Sequence, residues 1–105
     1  MGKAYVIAHP KVTDMDKFMT EYASKVDATV EAFGGKFLVR TPETLVHEGD
    51  KGTLAVVIEF ESKEKAMGWY KSDAHQQIVG KRRAYTDEKS HWMICEESST
   101  MKKGE

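Results

Sequence analysis

Six residues of this 105-residue chain are the ones whose types and positions suit chemistry: Glu59, Arg40, His9, Tyr22, Trp69 and Tyr70. Glu59 lies in the run TLAVVIEF at 53–60, and Arg40 ends the run KFLVR at 36–40. Both runs are rich in β-formers and read as strands, along which side chains alternate between faces. If the bulky Leu54, Val56, Ile58 and Phe60 face a helix-covered core, then Ala55, Val57 and Glu59 face the other way. The same alternation sends Phe37 and Val39 to the helices and leaves Leu38 and Arg40 opposite. Arg40 and Glu59 are therefore expected on one face of neighbouring strands. A carboxylate in apolar surroundings needs a partner, and a guanidinium is a planar, permanently charged one. Such a pair would anchor an anionic or polar ligand. It would equally serve as a base (Glu59, or His9 at its strand end) with Arg40 stabilising a developing oxyanion. The structural alternative is an ion pair, within one subunit or across a dimer.

The three aromatics belong to helices. Tyr22 lies in the apolar stripe of the first, where its hydroxyl would reach a cavity or a backbone carbonyl. Trp69 and Tyr70 lie on the second, where an aromatic pair is more often core packing than a ligand box. With Arg40 and Glu59 they make up the candidate ligand-binding set. The histidines, His9, His47, His75 and His91, show no metal-binding spacing, and Cys95 has no partner. Gly34-Gly35 follows a helix rather than opening one, so it is not arranged as a phosphate cradle. No metal and no organic cofactor is expected.

These residues must be positioned by two similar halves. Residues 3–9, stopped by Pro10, form a first strand. Thr13 or Asp14 caps a helix whose apolar stripe is Phe18, Met19, Tyr22, Val26, Val30 and Phe33, and Gly34-Gly35 ends it. A second strand at 36–40, with an extension at 44–48, precedes a turn at 49–52 and the strand at 53–60. Ser62 then caps a helix at 63–71. Asp73, with Gln76 in the capping-box position, caps another at 74–84. A last strand covers 91–97. The order βαββαβ predicts an α+β, ferredoxin-like fold: a four-stranded antiparallel sheet with its helices on one face. A single domain is expected over 1–97, with a flexible polar tail at 98–105.

Helices on one face leave the other bare, yet the strands are apolar on both sides, as in Tyr5-Val6-Ile7-Ala8 and Leu54-Ala55-Val56-Val57-Ile58. Covering such a face calls for a second copy, so a homodimer is expected. The hydrophobic fraction of 40%, charged fraction of 31% and net charge of −1 fit a soluble domain with no global pull towards nucleic acid. Lys81-Arg82-Arg83 reads as the solvated end of a helix. The positions where an RNA-recognition strand stacks bases hold Thr53 and Ala55, which have no ring. The apolar stretch at the N-terminus is too short for a membrane span or a signal core, and the lone cysteine suits a reducing compartment. A cytoplasmic protein without membrane or nucleic-acid partners is expected.

The spacing of Gly34-Gly35-Lys36-Phe37, Glu48-Gly49-Asp50, Val57-Ile58-Glu59-Phe60 and Ala66-x-x-Trp69-Tyr70-x-Ser72 resembles the domain of unknown function 1330 family, of the dimeric α+β barrel superfamily. The resemblance covers residues 4–97. It implies a dimer whose sheets enclose a barrel, but no reaction. Its wider relatives include cofactor-independent monooxygenases of antibiotic biosynthesis, muconolactone isomerases and chlorite-dismutase-like haem proteins. After Ser72 the family often reads Pro-Glu-Tyr, whereas this chain has Asp73-Ala74-His75. The expectation is a homodimer binding a small organic ligand between sheet and helices, with a cofactor-independent monooxygenase or isomerase as the alternative.

Overall fold

The structure, a computed structural model, describes residues 2–49 and 52–97. The expected flexible tail and the middle of the 49–52 turn lie outside the described residues. Four strands, β1 (Ala4–His9), β2 (Lys36–Thr41), β3 (Ala55–Phe60) and β4 (His91–Glu96), form one sheet in the order β2-β3-β1-β4. All neighbours are antiparallel. The first helical stretch consists of α1 (Met15–Phe18), a π-helical segment (Met19–Ala23) and α2 (Ser24–Glu31). The second consists of α3 (Lys63–Lys71) and α4 (Asp73–Ala84). This is the ferredoxin-like order read from the sequence. Among the described residues, no helix is long and apolar enough to cross a membrane.

Local chemistry sets the boundaries. The Asp14 carboxylate accepts from the Lys17 amide at 3.1 Å and starts α1, and the Ser62 hydroxyl does the same for Lys65 at 3.2 Å in α3. Gly34 takes φ 75°, which a side chain would resist, and turns the chain out of α2 into β2. Two expectations need correction. Residues 44–48 do not extend β2: among the described residues they form no strand, and Leu45 and Val46 stand out in solvent. The cap of α4 is Ser72, whose hydroxyl accepts from the His75 amide at 3.2 Å, so Asp73 is the first helical residue. Gln76 turns instead to the Tyr70 carbonyl, at 2.6 Å.

The core lies between the helices and one sheet face. Ala4, Val6, Ile58 and Phe60 meet Val26 and Val30 of α2 and Ala66 and Trp69 of α3. Ala4 and Phe60, which pair across β1 and β3, are both fully buried. A Cβ on Gly35 would stand 2.6 Å from Phe60 and 2.7 Å from Val30. Among the described residues, no helix covers the opposite face. There a row of apolar side chains, Val39–Val57–Ile7–Met93, runs in register across all four strands.

The close approach at Gly35 generates a prediction. Gly35→Ala should destabilise the fold by about 1–3 kcal/mol through overpacking, measured as a lower urea midpoint. An unchanged midpoint would contradict this packing.

Candidate functional site

The helices do not seat evenly on the sheet. Towards the Ala8–Leu54 end, a cleft of about 450 Å³ opens between the first helical stretch and the strands. Its floor is apolar and spans all four strands, from Phe37 through Val56 and Val6 to Trp92, and its roof includes Phe18, Tyr22 and Val26. The charged residues lining it are Asp27, Arg40 and Arg82.

Arg40 reaches this cleft because the alternation of β2 fails. Phe37 pairs with Ile58, Val39 with Val57 and Arg40 with Val56, so the register slips by one residue at Leu38. A bulge of this kind reverses the faces of everything beyond it. Val39 therefore joins the open face and Arg40 the helix face, the opposite of the strict period-two expectation. Arg40 forks onto Asp27 of α2, at 2.6 and 3.1 Å, and lies 3.9 Å from the Phe37 ring centre. Half of each partner is exposed, so the pair stabilises by at most about 1 kcal/mol.

Glu59 stays on the open face, as its strand position requires, and does not meet Arg40. Its carboxylate lies 3.5 Å from both Lys3 and Lys36 and accepts from the Tyr5 hydroxyl at 3.3 Å. Partial burial pushes its pKa up, but the two lysines and the hydroxyl together hold it below the usual value. His9 also lies on the open face, opposite His91 across the β1–β4 pair, and the two share a shallow depression with Ile7 and Met93. The three candidate catalytic residues thus divide between two faces. Arg40 is in the cleft; Glu59 and His9 are not.

Tyr22 does line the cleft. A stripe at 18, 22, 26 and 30 repeats every four residues, and would precess by about 40° per step on a helix of 3.6 residues per turn. The wider π turn takes up part of that drift and keeps Phe18, Tyr22 and Val26 on one side. The segment is clamped to α4 by Glu21, which meets Lys81 at 3.0 Å and the Tyr85 hydroxyl at 3.2 Å. Next to this clamp, Tyr22 stands beside Arg82. Burial raises the pKa of the Tyr22 hydroxyl, opposed by the Arg82 charge, so the hydroxyl is protonated at neutral pH and can donate.

Arg82 is the residue that sequence reasoning missed, having been read as part of a solvated basic run. It falls on the buried stripe of α4, three or four positions after Ile78 and Val79, and that spacing was the signal available. Its guanidinium lies 4.4 Å from the Trp92 ring centre, and its buried Nε has no hydrogen-bond partner among the described residues. It makes no ion pair there either.

Trp69 and Tyr70 are packing residues. Trp69 is fully buried and donates its ring N–H to the Thr29 hydroxyl at 3.0 Å. Tyr70 packs on Trp92 and His75, at centroid distances of 5.4 and 5.6 Å. Neither lines the cleft. Among the described residues, no group of three or more His, Cys, Asp or Glu gathers as a metal set.

With the site described, comparison with known proteins places the chain. Residues 3–96 match the family described as Domain of unknown function (DUF1330). The chain belongs to this family. No curated protein matches it in sequence. It is similar in structure to a dimeric ferredoxin-like protein of unknown function from Jannaschia sp. CCS1, at 15% identity and a TM-score of 0.75, covering 90% of this chain and 99% of that one. It is also similar to a candidate antibiotic biosynthesis monooxygenase from Caulobacter crescentus CB15, at 15% identity and a TM-score of 0.66, covering 90% and 89%. The RPA0582 protein of unknown function from Rhodopseudomonas palustris matches at 15% identity and a TM-score of 0.66, covering 90% and 82%. At these identities the likeness is one of fold.

His75 is the polar side chain of the buried core among the described residues. It is fully buried, its ring centre 4.1 Å from that of Trp69, with Nδ1 3.0 Å from the Tyr70 carbonyl and Nε2 without a partner among the described residues. Burial lowers its pKa, helped by the positive charges of Arg82 and Arg83 and opposed by the Tyr70 carbonyl. Below about pH 6.5, the ordinary histidine value, the unfolded chain takes up a proton that the folded chain resists. Stability should therefore fall as the pH drops from about 7 towards 5. His75→Phe should flatten that slope in thermal unfolding. An equally steep slope in the variant would assign the dependence to other groups.

Proposed function

We propose that the protein is a homodimer that binds a small, largely apolar organic molecule in the cleft of each subunit. The cleft carries this reading. Its volume of about 450 Å³ lies within the range of about 300–1,000 Å³ usual for ligand pockets. Its walls are apolar except for a few convergent polar groups, the arrangement that lets burial supply affinity and a few contacts supply orientation.

The dimer rests on the open face. The Val39–Val57–Ile7–Met93 row is continuous across the sheet, and Val39 and Met93 are 39% and 46% exposed in the single subunit. Two copies packed sheet to sheet would cover it. The Jannaschia relative, described as dimeric, supports this. An exposed lone thiol, Cys95, is in keeping with a reducing, cytoplasmic setting.

Binding is better supported than turnover. The monooxygenase or isomerase reading, for which the Caulobacter likeness speaks, needs a base in the pocket. Asp27 is engaged by Arg40, the Tyr22 hydroxyl is protonated, and Glu59 and His9 lie on the other face.

Both parts are open to test. Light scattering should give twice the chain mass, and Val57→Arg, placing a charge in the middle of the apolar row, should give monomer. A monomeric wild-type chain at micromolar concentration would refute the dimer. A thermal-shift screen of small aromatic and alicyclic compounds, neutral and anionic, should yield saturable stabilisation that Val56→Phe, which fills the cleft, removes. No stabilisation by any of them would refute the cleft as a binding site.

A further inference from the structure

The cleft holds one charge that the fold leaves unanswered. Of the three ionised residues lining it, Arg40 and Asp27 neutralise each other through two hydrogen bonds. Arg82 has no such partner. Among the described residues it makes no ion pair, and its Nε is buried without a hydrogen bond. A buried donor left in that state is unfavourable. Arg82 lines the cleft, so a counter-charge for its guanidinium can come from an anion bound there.

The side chain is held in readiness. Stacking on Trp92 at 4.4 Å fixes the guanidinium before any ligand arrives, so less rotamer freedom is lost on binding. Tyr22 stands beside it on the facing helix and brings an O–H donor to the same place. The Glu21 contacts to Lys81 and Tyr85 hold the two helices in that relation. Everything else on the cleft floor near them, Val6, Ala8, Val56 and Ile58, is apolar.

We propose that the ligand is an organic monocarboxylate, its carboxylate gripped by the Arg82 guanidinium and the Tyr22 hydroxyl and its apolar body lying over Val56 and Val6. This rests on the cleft being a binding site and adds the chemical class of its occupant. One uncompensated positive charge with one hydroxyl matches a monoanion. A phosphate dianion would bring a second charge into an apolar cleft with nothing to meet it. Arginine suits the task because its fork accepts both carboxylate oxygens at once.

The test is a fluorescence titration of the wild-type protein at pH 7.5 with 2-naphthoate and with its neutral isostere 2-naphthamide. The expected result is naphthoate binding at least about tenfold tighter than naphthamide, the order of one charge-assisted hydrogen bond. Arg82→Met should bring naphthoate down to the level of naphthamide without weakening naphthamide, and Arg82→Lys should keep part of the preference. Arg83→Met, on the exposed side of α4, should keep all of it. Equal binding of the two probes to the wild type would overturn the carboxylate inference and leave the cleft reading standing. Binding of neither would overturn both. Should Arg82→Met fail to fold, the wild-type ratio and the lysine variant decide.

Discussion

The indole of Trp69 touches every layer of the helix side, and the shape of the site follows from where it sits. Its centroid lies 5.5 Å from that of Phe60 on β3, 6.0 Å from Trp92 on β4 and 4.1 Å from His75 on α4, while its N–H is bonded to Thr29 on α2. A ring of this size, buried completely and satisfied at its one polar atom, draws α2, α3 and α4 down onto the Ala4–Phe60 end of the sheet. Truncating it to alanine would cost about 3–5 kcal/mol by the usual scale of core aromatics. At the other end the small side chains of Ala8 and Val56 lie on the floor, and the space between them and Phe18 and Tyr22 stays open. The cleft is what remains when a rigid helical layer is anchored at one end and stands away at the other.

A second constraint decides which polar groups can enter that space. Strands with an unbroken period of two separate their side chains cleanly, so Val56 faces the cleft and Val57 the bare face, and Glu59 goes with Val57. The bulge at Leu38 breaks the rule once, in the edge strand, and brings Arg40 to the helix side, where Asp27 meets it. The two faces of the sheet thus carry different chemistry. One has an apolar row beside a lysine-ringed carboxylate; the other has a cleft with a guanidinium and a phenol. On the proposed reading, dimerisation and ligand binding use alternate residues of the same strands, and a substitution can disturb one without the other.

The sequence made the scaffold legible because period and punctuation carry it. The runs KAYVIAH, TLAVVIEF and HWMICE, the Asp14 and Ser62 caps and Gly34-Gly35 placed the elements and most of their faces. The assignment of Val57 and Glu59 to the face away from the helices rested on alternation alone and agrees with the strand register. The site was less legible, for physical reasons. A bulge leaves no mark in composition, so Arg40 was put on the wrong face. Arg82 sits in a run of three basic residues whose neighbours are solvated, and only its spacing from Ile78 and Val79 shows that it turns inward. Trp69 and Tyr70 stayed in the candidate ligand set because large rings at helical spacing serve a core or a binding site, and core packing, the commoner use, is the one they have.

Amide chemical-shift mapping of the protein with 2-naphthoate separates a ligand beneath the first helical stretch from one on the open sheet face. Binding in the cleft gives saturable shifts confined to the π-helical segment around Tyr22, to Val56 and its neighbours on the cleft floor, and to the last turn of α4 around Arg82, with residues at the far end of the molecule near Phe60 and Gly35 unmoved. Shifts centred instead on Tyr5, Glu59 and Lys36, with Tyr22 and Arg82 unaffected, would contradict it.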